Sequence, residues 1–191
     1  MSTLILNRDW EHPKDNWYHL EALGNHPNAA GKVVQVVDAA AVQQMCNRFA
    51  VEAAKPDFAG MLVDHEHFKA NPDQETRAYG WLMAVQARAD GLYGQIRWTN
   101  TGREAVDGGD YRYFSTEYDP NDCEKVGDGK IRPLRLAGLT LTNDPNNKGQ
   151  RPITNRNADC GLRIAELGSG KLILQKNEPG RVGLRRTQPC G

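Results

Sequence analysis

Residues 78–99 read AYGWLMAVQARADGLYGQIRWT, and this stretch decides the fold class. Asp90-Gly91 stands between two segments that mix apolar and polar residues, and an Asp-Gly pair in that position is a strong signal for a β-hairpin. In the second segment Leu92, Ile96 and Trp98 fall on one side of an alternating pattern, as expected for a half-buried strand. The stretch therefore predicts two antiparallel strands joined by a tight turn.

Most of the surrounding sequence also predicts strands. Asp38 is a suitable N-cap for a helix over residues 39–54, and Thr99 or Asn100 for a short helix through residues 103–106. Two polar segments rich in Gly and Asn, 24–31 and 121–130, are predicted to be loops. Further strands are predicted at residues 17–23, 32–37, 60–64, 111–118 and 135–142. This order predicts a β-rich α+β fold, a small antiparallel β-barrel or sheet with peripheral helices.

The chain of 191 residues has the length of one main domain, which we place at residues 1–149. Residues 150–191 carry eight Lys and Arg against three Asp and Glu, so we expect a basic, flexible tail with one stray strand at residues 171–175. No aromatic residues interleave the basic ones there, so nucleic-acid binding is not expected.

The four cysteines form no CxxC pair and match no zinc module. The N-terminus has only a four-residue apolar run before charged residues, and no stretch approaches the roughly 18 apolar residues of a membrane span. We therefore expect a reduced protein of the cytoplasm with no membrane segment and no cofactor or metal.

Four consecutive ionisable residues, Asp64-His65-Glu66-His67, follow an apolar strand. If the strand continues through them, His65 and His67 point to one face, and Asp64 and Glu66 to the other. Two such histidines suit either a metal site or a general base that a carboxylate orients. The residues alone leave both readings open.

Ser115 lies in the predicted strand YFSTE, and Asp144 lies in TLTNDP, where Asp-Pro favours a turn. A serine nucleophile needs a base and a third group to orient that base. The chain has no GxSxG, GxGxxG or P-loop motif. By themselves, both residues are more typical of an ordinary strand and turn than of a catalytic site.

Several blocks, in order, resemble the Mu-like prophage I protein family. They are GMLVDHEH at residues 60–67, Tyr79-Gly80-Trp81, the hairpin after Ala89, GDYRYFS at 109–115 and LTLTNDP at 139–145. The resemblance covers about residues 15–147.

The resemblance implies a phage prohead protease, a serine endopeptidase on a β-barrel like that of the herpesvirus assembly protease. By position it implies Ser115 as nucleophile and His67 as general base, with His65 ranked second. Asp144 is the first choice for the third catalytic residue, with Asp64 and Glu66 as alternates.

The implied substrates are the scaffold and major capsid proteins and the chain itself, by autocleavage. The implied location is the assembling prohead in the bacterial cytoplasm, where the chain would be part of an oligomer. Members of the family commonly continue into a helix-rich scaffold segment, which the basic tail does not resemble. A truncated, non-catalytic assembly protein or prophage remnant is therefore the first alternative, and a metal enzyme using His65 and His67 the second.

Overall fold

The computed structural model describes residues 12–28, 31–67 and 77–154, together with the backbone of residues 162–165 and 173–176. The chain divides into two compact units, Met1–Arg156 and Asn157–Gly191. Within the first unit, residues 150 and 153 hydrogen-bond with Phe114 and Arg112, respectively, and the domain boundary at residue 149 stays a prediction.

The described part of the first unit contains ten strands and two α-helices, and the described part of the second contains two strands. The helices are α1 (Ala39–Ala53) and α2 (Asn100–Asp107), and a 3₁₀ turn covers Pro120–Asp122. The strands of the first unit are β1 (Trp17–Ala22), β2 (Gly24–Pro27), β3 (Val34–Val37), β4 (Met61–His65), β5 (Gly80–Arg88), β6 (Gly91–Trp98), β7 (Tyr113–Glu117), β8 (Cys123–Gly127), β9 (Lys130–Pro133) and β10 (Gly138–Thr142). The second unit contains β11 (Leu162–Ala165) and β12 (Ile173–Lys176), which form an antiparallel pair.

The main sheet has six strands in the order β1-β6-β5-β4-β10-β7, and a second sheet has the order β2-β3-β9-β8. The β5–β6 hairpin confirms the prediction from Asp90-Gly91. The prediction of a β-rich α+β fold with two helices is confirmed. Two strand pairs depart from the expected antiparallel arrangement, since β10 runs parallel to β4 and β9 parallel to β3. Parallel neighbours need a long connection, and β10 is separated from β4 by the β5–β6 hairpin, α2, β7 and the β8–β9 hairpin.

Three predictions of irregular structure are wrong. Residues 24–31 contain β2, residues 121–130 contain β8, and the tail contains β11. These segments are rich in Gly, Asn or charged residues, which have low strand propensity. β2 and β8 are edge strands of the second sheet, where solvent accommodates polar side chains.

The core lies between the main sheet and α1. Asp38 caps α1 by accepting a hydrogen bond from the backbone of Ala41 at 2.8 Å, and the helix buries Val42, Met45 and Phe49, as its apolar spacing predicts. No helix in the described ranges is long and apolar enough to cross a membrane.

Residues 150–153 lie beside β1 and β7, the two end strands of the main sheet. The side chain of Gln150 donates to the carbonyl of Phe114 at 3.0 Å, and the backbone of Ile153 donates to that of Arg112 at 2.8 Å. The backbone of Arg151 donates to Nδ1 of His19 on β1 at 3.2 Å. This segment therefore connects the two ends of the sheet into a nearly closed barrel.

Candidate functional site

The chain turns sharply where β4 ends at His65. Glu66 and His67 have φ values of 46° and 55°, in the left-handed region that non-glycine residues rarely adopt. The backbone of Glu66 donates to the carbonyl of Leu141 at 3.1 Å, and that of His67 donates to Oγ1 of Thr140 at 3.1 Å. Both bonds hold the turn against β10.

This turn separates the two histidines. The prediction that His65 and His67 point together is wrong, because strand alternation stops at His65. The His65 ring packs against Tyr79, with ring centres 4.7 Å apart, and lies 6.4 Å from the ring of Tyr111. Within the described ranges, no group of three His, Cys, Asp or Glu side chains is placed to hold a metal ion.

The His67 ring meets Glu117 at the end of β7. Its Nδ1 atom lies 2.7 Å from Oε1 of Glu117, and the two side chains are 41% and 23% exposed. The hydrogen bond to Glu117 raises the pKa of His67, partial burial opposes that change, and the charges of Glu117, Asp64 and Glu66 add to it. An imidazole held in this way at Nδ1 has its Nε2 available for another group.

A row of three polar residues crosses the sheet beside this pair. Thr140 on β10 is in register with Asp64 on β4 and with Ser115 on β7. Residues in register share a face of the sheet, so all three lie on the face opposite the core residue Phe114. They are 0%, 1% and 7% exposed, respectively.

Ser115 and Glu117 are two positions apart on β7, so their side chains lie on the same face. The structure thus places Ser115 and Glu117 on one face of β7, where Glu117 contacts His67, and places Asp64 in the same row as Ser115. No described residue forms a hydrogen bond with the Ser115 hydroxyl, so Ser115 and His67 are not directly bonded.

Asp144 is not part of this group, which corrects the prediction that it orients the histidine. Its side chain is 94% exposed and forms an ion pair with Lys148 at 2.5 Å, which lowers the pKa of the Asp144 carboxyl. Its backbone donates to Oγ1 of Thr142 at 3.2 Å. The Asp-Pro turn after β10 directs the carboxylate into solvent.

The two alternate acids occupy different positions. Asp64 is buried in the row beside Thr140, whereas Glu66 is exposed on the left-handed turn. The charges of both raise the pKa of His67, but it is Glu117 that accepts the hydrogen bond from its ring. The sequence analysis did not identify Glu117, although a residue two positions from Ser115 on a strand lies on the same face.

The family described as "Mu-like prophage I protein, N-terminal domain" matches residues 18–154, which contain every residue of this site. The chain is also 28% identical over 144 residues to "Protease I" of Escherichia phage Mu, a match that covers 71% of this chain and 36% of that relative. No solved structure matches with significance, so the expected likeness to the herpesvirus assembly protease stays a prediction. Since the family match covers most of the chain and the whole site, the chain belongs to the Mu-like prophage I protein family.

Proposed function

We propose that the chain is a serine endopeptidase of phage head maturation, in which Ser115 is the nucleophile, His67 the general base and Glu117 the residue that orients the base. The observation that supports it most is the 2.7 Å contact between His67 Nδ1 and Glu117, on the sheet face that carries Ser115. A carboxylate beside Nδ1 keeps the imidazole proton on Nδ1, so that Nε2 can accept a proton.

The proposed reaction follows from these roles. Nε2 of His67 takes the hydroxyl proton as Oγ of Ser115 bonds to the carbonyl carbon of a peptide. The carbon–nitrogen bond then breaks, and His67 returns the proton to the leaving amine. Water, activated by the same imidazole, hydrolyses the acyl ester, while Glu117 stabilises the imidazolium. In this proposal, the Ser115–His67 hydrogen bond forms when the substrate binds, as catalytic hydrogen bonds often do.

The proposed substrates are the scaffold and major capsid proteins and the chain itself, within an oligomer in the assembling prohead of the bacterial host. Support comes from the family and from the relative named "Protease I" of a phage. Because the match covers 36% of that relative, its whole activity is extended to this chain only as part of the proposal.

The test combines cleavage with active-site labelling. The chain is incubated with scaffold and capsid proteins of its own phage, and separately with a fluorophosphonate that labels activated serines. We expect cleavage, and label on the peptide that contains Ser115. Ser115→Ala is expected to lose both while keeping the circular dichroism spectrum of the parent chain. Cleavage that persists in Ser115→Ala contradicts the proposal.

The alternative of a non-catalytic assembly protein draws support from one observation. Ser115 is 7% exposed, and its hydroxyl does not bond with His67. If the fluorophosphonate leaves Ser115 unlabelled while the chain still binds scaffold protein, this alternative replaces the protease. The metal-enzyme alternative is disfavoured, because β4 directs His65 to the aromatic rings on the other face.

A further inference from the structure

A buried carboxylate lies on the inner side of the strand that bears the proposed nucleophile. Glu21 on β1 is 1% exposed, and its Oε2 accepts hydrogen bonds from the hydroxyls of Thr116 and Tyr118, the latter at 3.2 Å. Thr116 is the residue between Ser115 and Glu117. Oε2 of Glu21 therefore holds Thr116, on β7, and Tyr118, directly after the strand.

The position of Glu21 results from an irregularity in β1. The register of β1 with β6 shifts between His19 and Glu21, as in a β-bulge, and bulges redirect side chains. β1 and β7 are the two end strands of the main sheet and are not ladder partners. The hydrogen bonds that Glu21 accepts thus link β1 to β7, two strands that no backbone ladder connects.

A third donor reaches the same oxygen. Nδ2 of Asn147 lies 3.1 Å from Oε2 of Glu21 and 3.0 Å from Oε1 of Gln35. Burial raises the pKa of Glu21, while the hydrogen bonds from Thr116 and Asn147 and the charge of nearby His26 oppose that change. Such buried polar groups specify position, because hydrogen bonds are directional whereas apolar packing is not.

The two faces of β7 are coupled by its pleat. Thr116 and Tyr118 face Glu21, and Ser115 and Glu117 face the opposite way, toward His67. A strand fixed through its inner hydroxyls cannot rotate or slide without moving its outer side chains. Apolar residues at positions 116 and 118 would fill the same space without this constraint.

We infer that Glu21 is a positioning residue, which holds β7 through Thr116 and Tyr118 so that Glu117 meets the imidazole of His67. Its importance for catalysis rests on the proposed function. The placement of Glu117 against His67 is a property of the fold and is measurable without any peptidase activity.

The experiment follows the His67 ring by nuclear magnetic resonance during a pH titration of the full chain. Thr116→Val and Tyr118→Phe each remove one donor to Glu21 and retain most of the side-chain shape. We expect the His67 pKa to fall in each variant toward the ordinary value of about 6.5, because the hydrogen bond between the His67 ring and Glu117 is weakened. If a variant that combines Thr116→Val and Tyr118→Phe is too unstable to titrate, the two single variants decide the result.

Tyr93→Phe is the matched control. The Tyr93 hydroxyl donates a hydrogen bond to Asp90 at 3.0 Å in the β5–β6 hairpin, and Asp90 is not a partner of β7. The control removes the same group as Tyr118→Phe and is expected to leave the His67 titration unchanged. An unchanged titration in both Thr116→Val and Tyr118→Phe, despite a lower melting temperature, would overturn the inference by showing a merely structural role.

Peptide cleavage is measured on the same variants. We expect kcat to fall about tenfold or more with little change in KM, since small misplacements of catalytic groups have effects of that order. If the parent chain shows no Ser115-dependent cleavage, the proposed function fails. A shifted His67 titration would still support the positioning role of Glu21.

Discussion

His67 and Glu117 are 50 positions apart in the chain, yet Nδ1 of one lies 2.7 Å from Oε1 of the other. The contact forms because a left-handed turn after β4 brings His67 against β10, next to β7. It replaces the expected partner Asp144 with a glutamate on the same strand as Ser115. In the proposed mechanism, the turn after β4 supplies the base, and β7 supplies the nucleophile and the carboxylate that orients the base.

Glu117→Gln tests the role of the acid. Loss of the carboxylate removes the main cause of the raised His67 pKa and favours the wrong tautomer, so we expect kcat to fall by about 10³–10⁴-fold. The pKa of His67 is expected to fall in the same variant. Cleavage assays and a magnetic resonance titration measure the two effects.

Asp144→Asn is the matched control, because Asp144 is 94% exposed and, among the residues that the structure describes, bonds with Lys148 and Thr142. We expect its cleavage rate to equal that of the parent chain. A large loss in Asp144→Asn, with none in Glu117→Gln, would restore Asp144 as the third catalytic residue.

The charge of His67 predicts opposite pH dependences of stability and activity. Its pKa is raised in the folded chain, so the protonated pair with Glu117 stabilises the fold fully below about pH 6.5. That stabilisation is lost as the pH rises through the folded pKa. Cleavage needs the neutral imidazole and is expected to increase over the same range.

The stability effect is measured as the difference in free energy of unfolding between the parent chain and His67→Gln from pH 5 to 9. We expect this difference to shrink as the pH rises. A difference that is constant over the whole range would show that the ion pair does not stabilise the fold.

Gly102→Ala tests the contact between α2 and the segment before β5. A Cβ atom at position 102 would lie 1.8 Å from the carbonyl oxygen of Tyr79, and backbone there cannot yield easily. We expect the free energy of unfolding to fall by about 1–3 kcal/mol, as for overpacked cores. Asn100→Ala, at an exposed position of the same helix, is expected to change it far less. Chemical denaturation measures both, and equal effects would contradict this packing.

Asp38 has two roles that two substitutions separate. It caps α1 through the backbone of Ala41 and forms an ion pair with Arg132 at 2.8 Å, which lowers the Asp38 pKa. Asp38→Ala removes both and is expected to destabilise the fold by about 1 kcal/mol. Asp38→Asn retains the cap, so denaturation is expected to show a smaller loss. Equal losses of unfolding free energy in Asp38→Ala and Asp38→Asn would show that the ion pair, and not the cap, stabilises the fold.

Features that depend on neighbouring residues could be predicted from the sequence. The Asp90-Gly91 hairpin, the apolar face and cap of α1, and the apolar strand before His65 all follow from turn chemistry and periodicity. Each of these features involves a few residues that are close in sequence, so it can be predicted from local patterns without knowing the whole fold. The likeness of ordered blocks to a family also predicted the membership that the comparison confirmed.

Which side chains meet at the site depends on contacts that no local pattern predicts. The parallel placement of β10 beside β4, the left-handed turn at Glu66 and His67, and the exposure of Asp144 depend on contacts between distant segments. No local pattern encodes the register of strands that are far apart in sequence. Because a shift of one residue reverses every side chain on a strand, the pairing of His67 with Glu117 depends on that register together with the turn after β4.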